Sequence, residues 1–333
     1  MARIPENSRG FAREAMLWLS FAFRPLRLTE LCETVAFNEL DATVDPLDRL
    51  LAAHDLLRWC QGLITYDPWT KDVTLSHSSV RTYLLSDQIN CGPSSFFSVE
   101  EVQAERLLLR KCLTYMTFTD FGKGYRPNYH EWEALSRNWP LLSYASNYWA
   151  SHAHALDAAL EPYDHDLISR FCKTSNDERG GNFGFWIQCP SPQAGIHIAR
   201  VTPPLYYAAS FGLRTVVGSL ISANKGMNLD AVGGRNDSTA LQVACYRGHY
   251  GIAKDLLHAG ANPYHRDRHG RSSLVYALRH GDKDMAELLR QYLASRTDPK
   301  GETASMHIED ASTTADAFEG CARVRRERDL YQS

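Results

Sequence analysis

The feature that most constrains this chain is a repeated pattern in its C-terminal third. The stretch 204–212, Pro-Leu-Tyr-Tyr-Ala-Ala-Ser-Phe-Gly, returns with the same leucine, alanine and glycine positions at 240–248 and 273–281. The leucines of successive copies are 36 and 33 residues apart. A period near 33 residues is typical of stacked helical repeats, in which each copy packs on its neighbours.

Each copy has the residues of a helix pair. The leucine and the small alanine lie three positions apart on one face of a first helix, and the glycine then ends that helix because it adopts a left-handed conformation without steric cost. A second apolar stretch follows each glycine, at 216–221, 252–257 and 285–289. We therefore predict about three repeats over 200–292, near the smallest number that buries a continuous core.

These copies resemble the ankyrin repeat, and 238–270 is the strongest match. In that family, the finger tips and the exposed side of the first helices bind partner proteins, so the resemblance implies a protein-interaction surface without catalytic chemistry. Aromatic residues and arginine, which are enriched in interface hot spots, occupy such positions here. The predicted protein-binding residues are Ser210, Phe211, Tyr246, Arg247, Tyr264, His265, Arg266, Arg268, His269, Arg279 and His280.

Residues 12–90 are predicted to form a winged-helix unit. Apolar residues at helical spacing predict helices over 14–23 and 46–60. Two strand signals, at 63–66 and 73–76, flank a short turn-forming stretch and predict a hairpin. Helices followed by a hairpin and a closing helix are the order expected of a winged helix.

Two stretches, 18–26 and 76–84, resemble the winged-helix segment that follows the NACHT nucleotide-binding domain in fungal NACHT-ankyrin proteins, which are similar to innate-immune receptors. Residues 98–175 resemble the helical connector of such proteins. The resemblance implies, as an alternative function, the regulatory fragment of a nucleotide-dependent switch, with a NACHT domain in cis or in trans as a partner. No G-x-x-x-x-G-K-[ST] motif occurs in the sequence, so we expect no ATP or GTP hydrolysis by this chain.

The expected fold class is therefore mainly α, with a winged-helix unit, a helical connector and a short ankyrin-repeat solenoid. Between connector and repeats, 176–199 contains Gly-Gly and Pro-Ser-Pro and is predicted to be a linker. Small and polar residues follow the last repeat, so 293–333 is predicted to be a disordered tail.

Charge and hydropathy exclude several classes of partner. The net charge is -3 and the pI is about 6.5, so no global positive field attracts nucleic acid. A winged-helix DNA-associated factor is the less favoured alternative, because the helix over 48–60 contains Asp48 and Asp55 among its basic residues.

The apolar stretches are shorter than the roughly 20 residues that span a bilayer, and the N-terminus lacks a signal peptide. We expect no membrane contact and a cytoplasmic location.

The sequence predicts no catalytic residue, no cofactor and no metal site. The eight cysteines are scattered without a C-x-x-C pair, which favours reduced, mostly buried thiols. His152 and His154 are two positions apart on a predicted helix and point to nearly opposite faces, so they do not converge on one ion. His77, between two serines, lies at a strand-to-helix junction, which favours a helix cap over a catalytic pair.

Overall fold

The computed structural model describes residues 1, 4–45, 53–190, 202–223, 226–234 and 236–294. The contacts divide the chain into two compact units, Met1–Ala194 and Gly195–Ser333. Helices dominate both, and the small sheet that the structure describes belongs to the first, so the mainly α fold class is confirmed. The predicted tail lies outside the described residues from residue 295 onward.

The first unit begins with a winged helix. Its elements are α1 (Arg9–Phe21), β1 (Leu26–Arg27), α2 (Leu28–Thr34), α3 (Ala53–Trp59), β2 (Ile64–Tyr66), β3 (Asp72–Leu75) and α4 (Ser78–Leu84). The antiparallel sheet has the order β1-β3-β2, with Leu26 opposite Val73 and Ile64 opposite Leu75. The predicted hairpin is confirmed. The first part of the helix predicted over 46–60 lies outside the described residues.

The winged helix is held by an apolar face of α1 and by a local cap on α4. Ala12, Met16 and Trp18 are fully buried on α1, as the helical spacing of apolar residues predicts. At the start of α4, Nδ1 of His77 accepts a hydrogen bond from the backbone N–H of Ser79 at 3.1 Å. The interpretation of His77 as a helix cap is confirmed, because its ring satisfies a backbone donor that the helix leaves open.

The helical connector completes the first unit. It contains α5 (Glu101–Met116), α6 (Tyr129–Arg137), α7 (Leu142–Leu156), α8 (Pro162–Lys173) and α9 (Gly181–Gln188). Its aromatic residues form a core, in which Tyr115 meets Trp139 edge to face at 5.7 Å and Phe121 stacks on Phe185 at 4.7 Å. Such aromatic pairs add to the free energy that burial alone contributes.

Polar contacts join the winged helix to the connector within this unit. Lys111 on α5 is buried, donates to the carbonyl of Thr34 at 3.0 Å and pairs with Glu14 at 2.8 Å. Burial raises the pKa of Glu14 above its ordinary value, against the lowering effect of the Lys111 ammonium. Tyr115 donates its hydroxyl to Glu33 at 2.8 Å. The predicted separate units 12–90 and 98–175 therefore belong to one compact unit.

The structure differs from the prediction of a linker over 176–199. Within it, α9 carries the sequence Gly-Asn-Phe-Gly-Phe-Trp-Ile-Gln, and Phe183, Phe185 and Trp186 are at most 2% exposed. Two neighbouring glycines suggest a loose segment, yet Gly180 only adopts a left-handed conformation before the helix. The apolar residues that follow it are buried in the core, so this part of the segment is a packed helix and not a linker. Residues 191–201 lie outside the described residues.

The second unit is a stack of three helix pairs. The pairs are α10 (Pro204–Ser210) with α11 (Arg214–Ala223), α12 (Ala240–Arg247) with α13 (Tyr250–Ala259), and α14 (Ser273–Arg279) with α15 (Lys283–Ala294). Each first helix ends before a glycine in a left-handed conformation, with φ of 75° at Gly212, 77° at Gly248 and 67° at Gly281. The repeat pattern is confirmed, because these glycines adopt the backbone conformation for which they were singled out.

Candidate functional site

The first helices of the three pairs lie side by side because their facing residues are small. Ala208, Ala244 and Ala277 occupy equivalent positions and are at most 4% exposed. Helix α12 packs against α10 on one side and α14 on the other. The three helices therefore present the side chains near their C-terminal ends as one row.

Tyr246 lies at the centre of this row. Its ring meets Tyr276 at 5.5 Å and His280 at 5.1 Å, both edge to face. The guanidinium of Arg247 lies 5.5 Å from the centre of the Tyr246 ring, within cation-π distance. Residues of the second and third repeats are thus packed into one cluster of aromatic and basic side chains.

The first repeat has aromatic pairs of its own. Tyr206 meets Tyr207 edge to face at 5.5 Å, and Tyr207 stacks on Phe211 at 6.0 Å. Burial raises the pKa of Tyr206, and the charge of Arg247 opposes that shift. We name the set the aromatic–arginine surface and define it by its members Tyr206, Tyr207, Phe211, Tyr246, Arg247 and His280. Tyr276 is 6% exposed, so it supports the Tyr246 ring from within the stack.

The fingers between the helix pairs are tied to each other by Asp237. Arg268 donates to the Asp237 carboxylate at 3.1 Å, and its backbone N–H donates to the carbonyl of Asn236 at 2.9 Å. Nε2 of His265 lies 3.3 Å from the Asp237 carbonyl. Arg266 donates to the carbonyl of Gly270 within its own finger at 3.1 Å. These bonds fix the positions of the basic finger residues.

Asp267 joins this finger to the aromatic–arginine surface. Its buried carboxylate accepts from the Tyr276 hydroxyl at 2.5 Å, from the backbone N–H groups of His269 and Arg271, and from the Arg271 guanidinium at 3.0 Å. Burial alone would raise the pKa of Asp267, but the hydrogen bonds outweigh it and lower the pKa. Burial and the bond to Asp267 raise the pKa of Tyr276. The carboxylate is therefore a fixed negative centre.

Gln242 fixes the same finger from the second repeat. Its amide donates to the carbonyls of His265 at 3.1 Å and Arg271 at 2.7 Å. Its side-chain oxygen accepts from the backbone N–H of Thr239, while Thr239 caps the Gln242 N–H, which is a capping box. One buried side chain thus sets the start of α12 and the position of the next finger.

The predicted site residues fall into three groups. Tyr246, Arg247 and His280 are in direct contact, and Phe211 belongs to the same surface through Tyr207. Ser210 and Arg279 hold the position of Tyr246 in the other two repeats and are half-buried. On the finger, His265 is half-buried, whereas the more accessible residues are Arg266, Arg268 and His269.

Tyr264 is the one predicted site residue that the structure contradicts. Its side chain is 8% exposed, and its hydroxyl donates to the carbonyl of Leu293 at 3.0 Å. The ring and hydroxyl therefore hold the last helix of the stack and are not accessible to a partner. The position after Asn-Pro in a finger suggests an exposed tip, but a hydroxyl that reaches a helix carbonyl makes burial favourable.

The sequence interpretation missed Tyr206, Tyr276, Gln242 and Asp267. Tyr207 and Tyr276 hold the same position in the first and third copies, so comparison of the copies was a signal for an aromatic pair. Gln242 three residues after Thr239 was the signal for a capping box. Nothing in the local sequence indicated that Asp267 would accept a bond from Tyr276, because that contact depends on packing between repeats.

Other candidate chemistry has structural explanations. His152 is fully buried, with Nδ1 2.6 Å from Glu105 and Nε2 2.9 Å from the Tyr144 hydroxyl. In the described parts of the chain, no group of three or more histidine, cysteine or acidic residues is placed to hold a metal ion. Burial raises the pKa of the Cys32 and Cys60 thiols to about 11, which makes them poor nucleophiles at neutral pH.

Two further observations concern partners other than proteins. On α3, Arg58 forms an ion pair with Asp55 at 2.8 Å, so one base of the predicted DNA-facing helix already has an acidic neighbour. None of the helices described is long and apolar enough to cross a membrane.

Comparisons with known proteins agree with this architecture. Residues 205–301 match the family described as ankyrin repeats, in three copies, and residues 2–99 match the family described as the GPI inositol-deacylase winged helix domain. Protein HOS4 of Saccharomyces cerevisiae (strain ATCC 204508 / S288c) is 55% identical over 42 residues, which cover 13% of this chain and 4% of that protein. The chain therefore carries a winged helix of the GPI inositol-deacylase type together with three ankyrin repeats.

Proposed function

We propose that this chain is a non-catalytic interaction module that captures a protein partner on the aromatic–arginine surface, as a cytoplasmic scaffold or as the sensor part of an NLR-like signalling protein. The observation that carries the proposal is that aromatic and basic side chains lie on the adjacent first helices of three repeats. Its tyrosines and Arg247 are residue types that supply most of the free energy in protein interfaces. Their mutual packing means that little side-chain entropy is lost on binding, which favours affinity.

The test replaces Tyr246 and Arg247 together by alanine and measures co-purification of partners from a native extract. We expect capture to be lost, because the substitution removes the centre of the surface. The matched control is Tyr250→Ala with Lys254→Ala, which removes a tyrosine and a base from the exposed side of α13. Both variants are assayed well below their measured melting temperatures. If the Tyr246/Arg247 variant captures partners as well as the wild-type chain does, the proposed binding site is wrong.

A second candidate function is the regulatory part of a NACHT nucleotide switch, and the wing of the winged helix favours it. Trp69 at the hairpin tip is 92% exposed, although the turn is ordered. The Asp67 carboxylate accepts from the Trp69 N–H at 2.8 Å, and the Asp67 carbonyl accepts from the Lys71 N–H at 2.9 Å. A rigid turn that presents a tryptophan to solvent is suited to insertion into a pocket of another domain.

Co-expression with a NACHT domain from a NACHT-ankyrin protein tests this second candidate. We expect Trp69→Ala to weaken the complex at least tenfold, since a buried interface tryptophan contributes about 2 kcal/mol or more. Because Trp69 is 92% exposed in its own unit, the melting temperature should stay nearly unchanged. If the wild-type and Trp69→Ala chains bind the NACHT domain with equal affinity, the wing is not part of the interface.

A further inference from the structure

Charge is unevenly distributed in the ankyrin stack. The segments that form the first helices and fingers of the second and third repeats, 231–249 and 264–281, contain six arginines and two aspartates. The second helices with their flanks, 250–263 and 282–294, contain three basic and four acidic residues. The side of the stack that carries the aromatic–arginine surface is therefore the basic side.

Both aspartates of the basic side are engaged within the stack. Asp237 accepts from Arg268, and Asp267 accepts from Tyr276 and Arg271. Their charges are thus partly neutralised in place, while Arg247 lies over the face of Tyr246. A surface of this kind fits a segment that offers carboxylates to the arginines and apolar side chains to the rings.

The last described helix ends beside the finger that carries His265, Arg266 and Arg268. The carbonyl of Leu293, near the end of α15, accepts a hydrogen bond from the buried Tyr264, which directly precedes His265 and Arg266 of the finger. The seven residues 295–301 span up to about 25 Å when extended. Three helices packed side by side at about 8–10 Å spacing cover about 20 Å, so the residues that follow are within reach of the whole row.

The sequence beyond this point has the complementary composition. Segment 302–319 contains five acidic residues and no lysine or arginine, and it includes Met306, Ile308 and Phe318. The acidic residues are Glu302, Glu309, Asp310, Asp316 and Glu319. A segment tethered this closely has an effective concentration in the millimolar range, so even weak affinity leads to substantial occupancy.

We propose that segment 302–319 of this chain docks in cis on the aromatic–arginine surface and competes there with the protein partner. The inference rests on the proposed function, because it assigns an internal competitor to the same surface. It makes capture dependent on release of the segment, through a partner of higher affinity or through screening by salt. Neutral or positively charged partners then gain less from this surface than acidic ones.

The test uses the full chain and a fluorescent synthetic peptide with the sequence of 302–319. In one variant, the five acids of the chain's own segment are replaced by their amides, as Glu302→Gln, Glu309→Gln, Asp310→Asn, Asp316→Asn and Glu319→Gln. Fluorescence anisotropy measures peptide binding at about 50 mM salt, where charge interactions are weakly screened. We expect the amide variant to bind the peptide about tenfold more tightly than the wild-type chain, because the cis competitor has been weakened.

Three controls locate the effect. Adding Arg247→Gln and Arg279→Gln to the amide variant should abolish peptide binding, and a peptide with all five acids replaced by amides should not bind. Asp284→Asn with Glu287→Gln, which removes two acids from α15, should leave the affinity of the wild-type chain unchanged. Should the five-fold variant be poorly folded, Glu309→Gln with Asp310→Asn is used, with an intermediate gain expected.

Equal affinity of the wild-type and amide-variant chains overturns the proposal, and so does the absence of binding by the amide variant. A difference that grows with chain concentration assigns the competitor to a second copy and also overturns the cis arrangement. These failures are distinct from failure of the proposed function. If the peptide does not bind, but partner capture still depends on Tyr246 and Arg247, the surface remains a protein-binding site without an internal competitor.

Discussion

Asp267 is the single residue whose charge most directly supports the candidate surface. We expect Asp267→Asn to lower the free energy of unfolding by about 1–3 kcal/mol, because an amide cannot accept all the bonds that the buried carboxylate accepts. The dependence on pH has a defined sign. Since the pKa of Asp267 is lowered in the folded chain, its contribution is present above the unfolded pKa of about 3.9 and is lost as pH falls through the lower, folded pKa.

Urea unfolding at a series of pH values from 6 to 3 measures this contribution. The difference between wild type and Asp267→Asn should be constant above about pH 5 and should shrink below pH 4. The control is Asp284→Asn, which changes an exposed carboxylate on α15. A difference that stays constant down to pH 3 would show that the carboxylate charge of Asp267 does not contribute.

The accuracy of the residue predictions depended on the range of the interactions involved. The mutual contact of Tyr246, Arg247 and His280 was predictable because the repeat alignment places them at the ends of neighbouring helices. Tyr264 was assigned to the wrong environment because its hydroxyl partner, the carbonyl of Leu293, is 29 residues away in sequence. Local pattern shows where a side chain leaves the backbone, and long-range packing decides whether water reaches it.

At the scale of elements, the link between α12 and the next finger depends on Gln242. We expect Gln242→Ala to lower the free energy of unfolding by about 1–3 kcal/mol, because the His265 carbonyl loses its side-chain donor, while the Arg271 carbonyl keeps its bond from the Asp267 N–H at 3.0 Å. Chemical denaturation measures the change. The control Gln291→Ala removes an exposed glutamine that bonds to Glu287 on its own helix, and should change stability by less than about 0.5 kcal/mol.

A local test separates this role from general destabilisation. Hydrogen exchange in Gln242→Ala should increase first in the finger that contains His265 and Arg271, whose carbonyls accept from Gln242. If the finger keeps its protection while the whole stack loses stability evenly, Gln242 serves the helix start alone. The capping box with Thr239 would then account for the entire effect.

Elements with a strong local signal were predicted well. The hairpin of β2 and β3 has β-branched and aromatic residues on either side of a turn, and the repeat helices have their glycine ends. By contrast, α9 was predicted as part of a linker, because Gly180 and Gly181 outweighed the apolar run that follows them. The two-residue strand β1 was not predicted, since its pairing with β3 at Leu26 and Val73 depends on the whole winged helix.

At the scale of the molecule, the domain boundaries were the least predictable part. The winged helix and the connector were expected as two successive units, but buried charges and aromatic rings join them. Lys111, for example, contacts Thr34 and Glu14 across 77 and 97 residues of sequence. Composition and periodicity describe one segment at a time, so they do not report contacts between segments this far apart.

A substitution at Tyr144 tests how the winged helix is attached to the helical connector within the first unit. Its hydroxyl accepts from the backbone N–H of Phe23, just after α1, at 3.1 Å and lies 2.9 Å from Nε2 of His152 on α7. We expect Tyr144→Phe to lower the free energy of unfolding by about 1–3 kcal/mol, because the buried His152 ring loses a hydrogen-bond partner and the Phe23 N–H loses its acceptor. Hydrogen exchange should increase in both α1 and α7, since the lost oxygen bridges them.

Tyr148→Phe is the matched control for this substitution. The Tyr148 ring stacks on Phe23 at 5.8 Å and meets Tyr144 at 4.9 Å, so the substitution keeps the ring contacts and removes only a hydroxyl. Stability should then change by less than about 0.5 kcal/mol. An equal loss in both variants would mean that ring packing, and not the hydroxyl of Tyr144, joins the winged helix to the connector. A loss confined to Tyr144→Phe assigns the coupling to one oxygen atom, through which a displacement of the winged helix would reach His152 and Glu105.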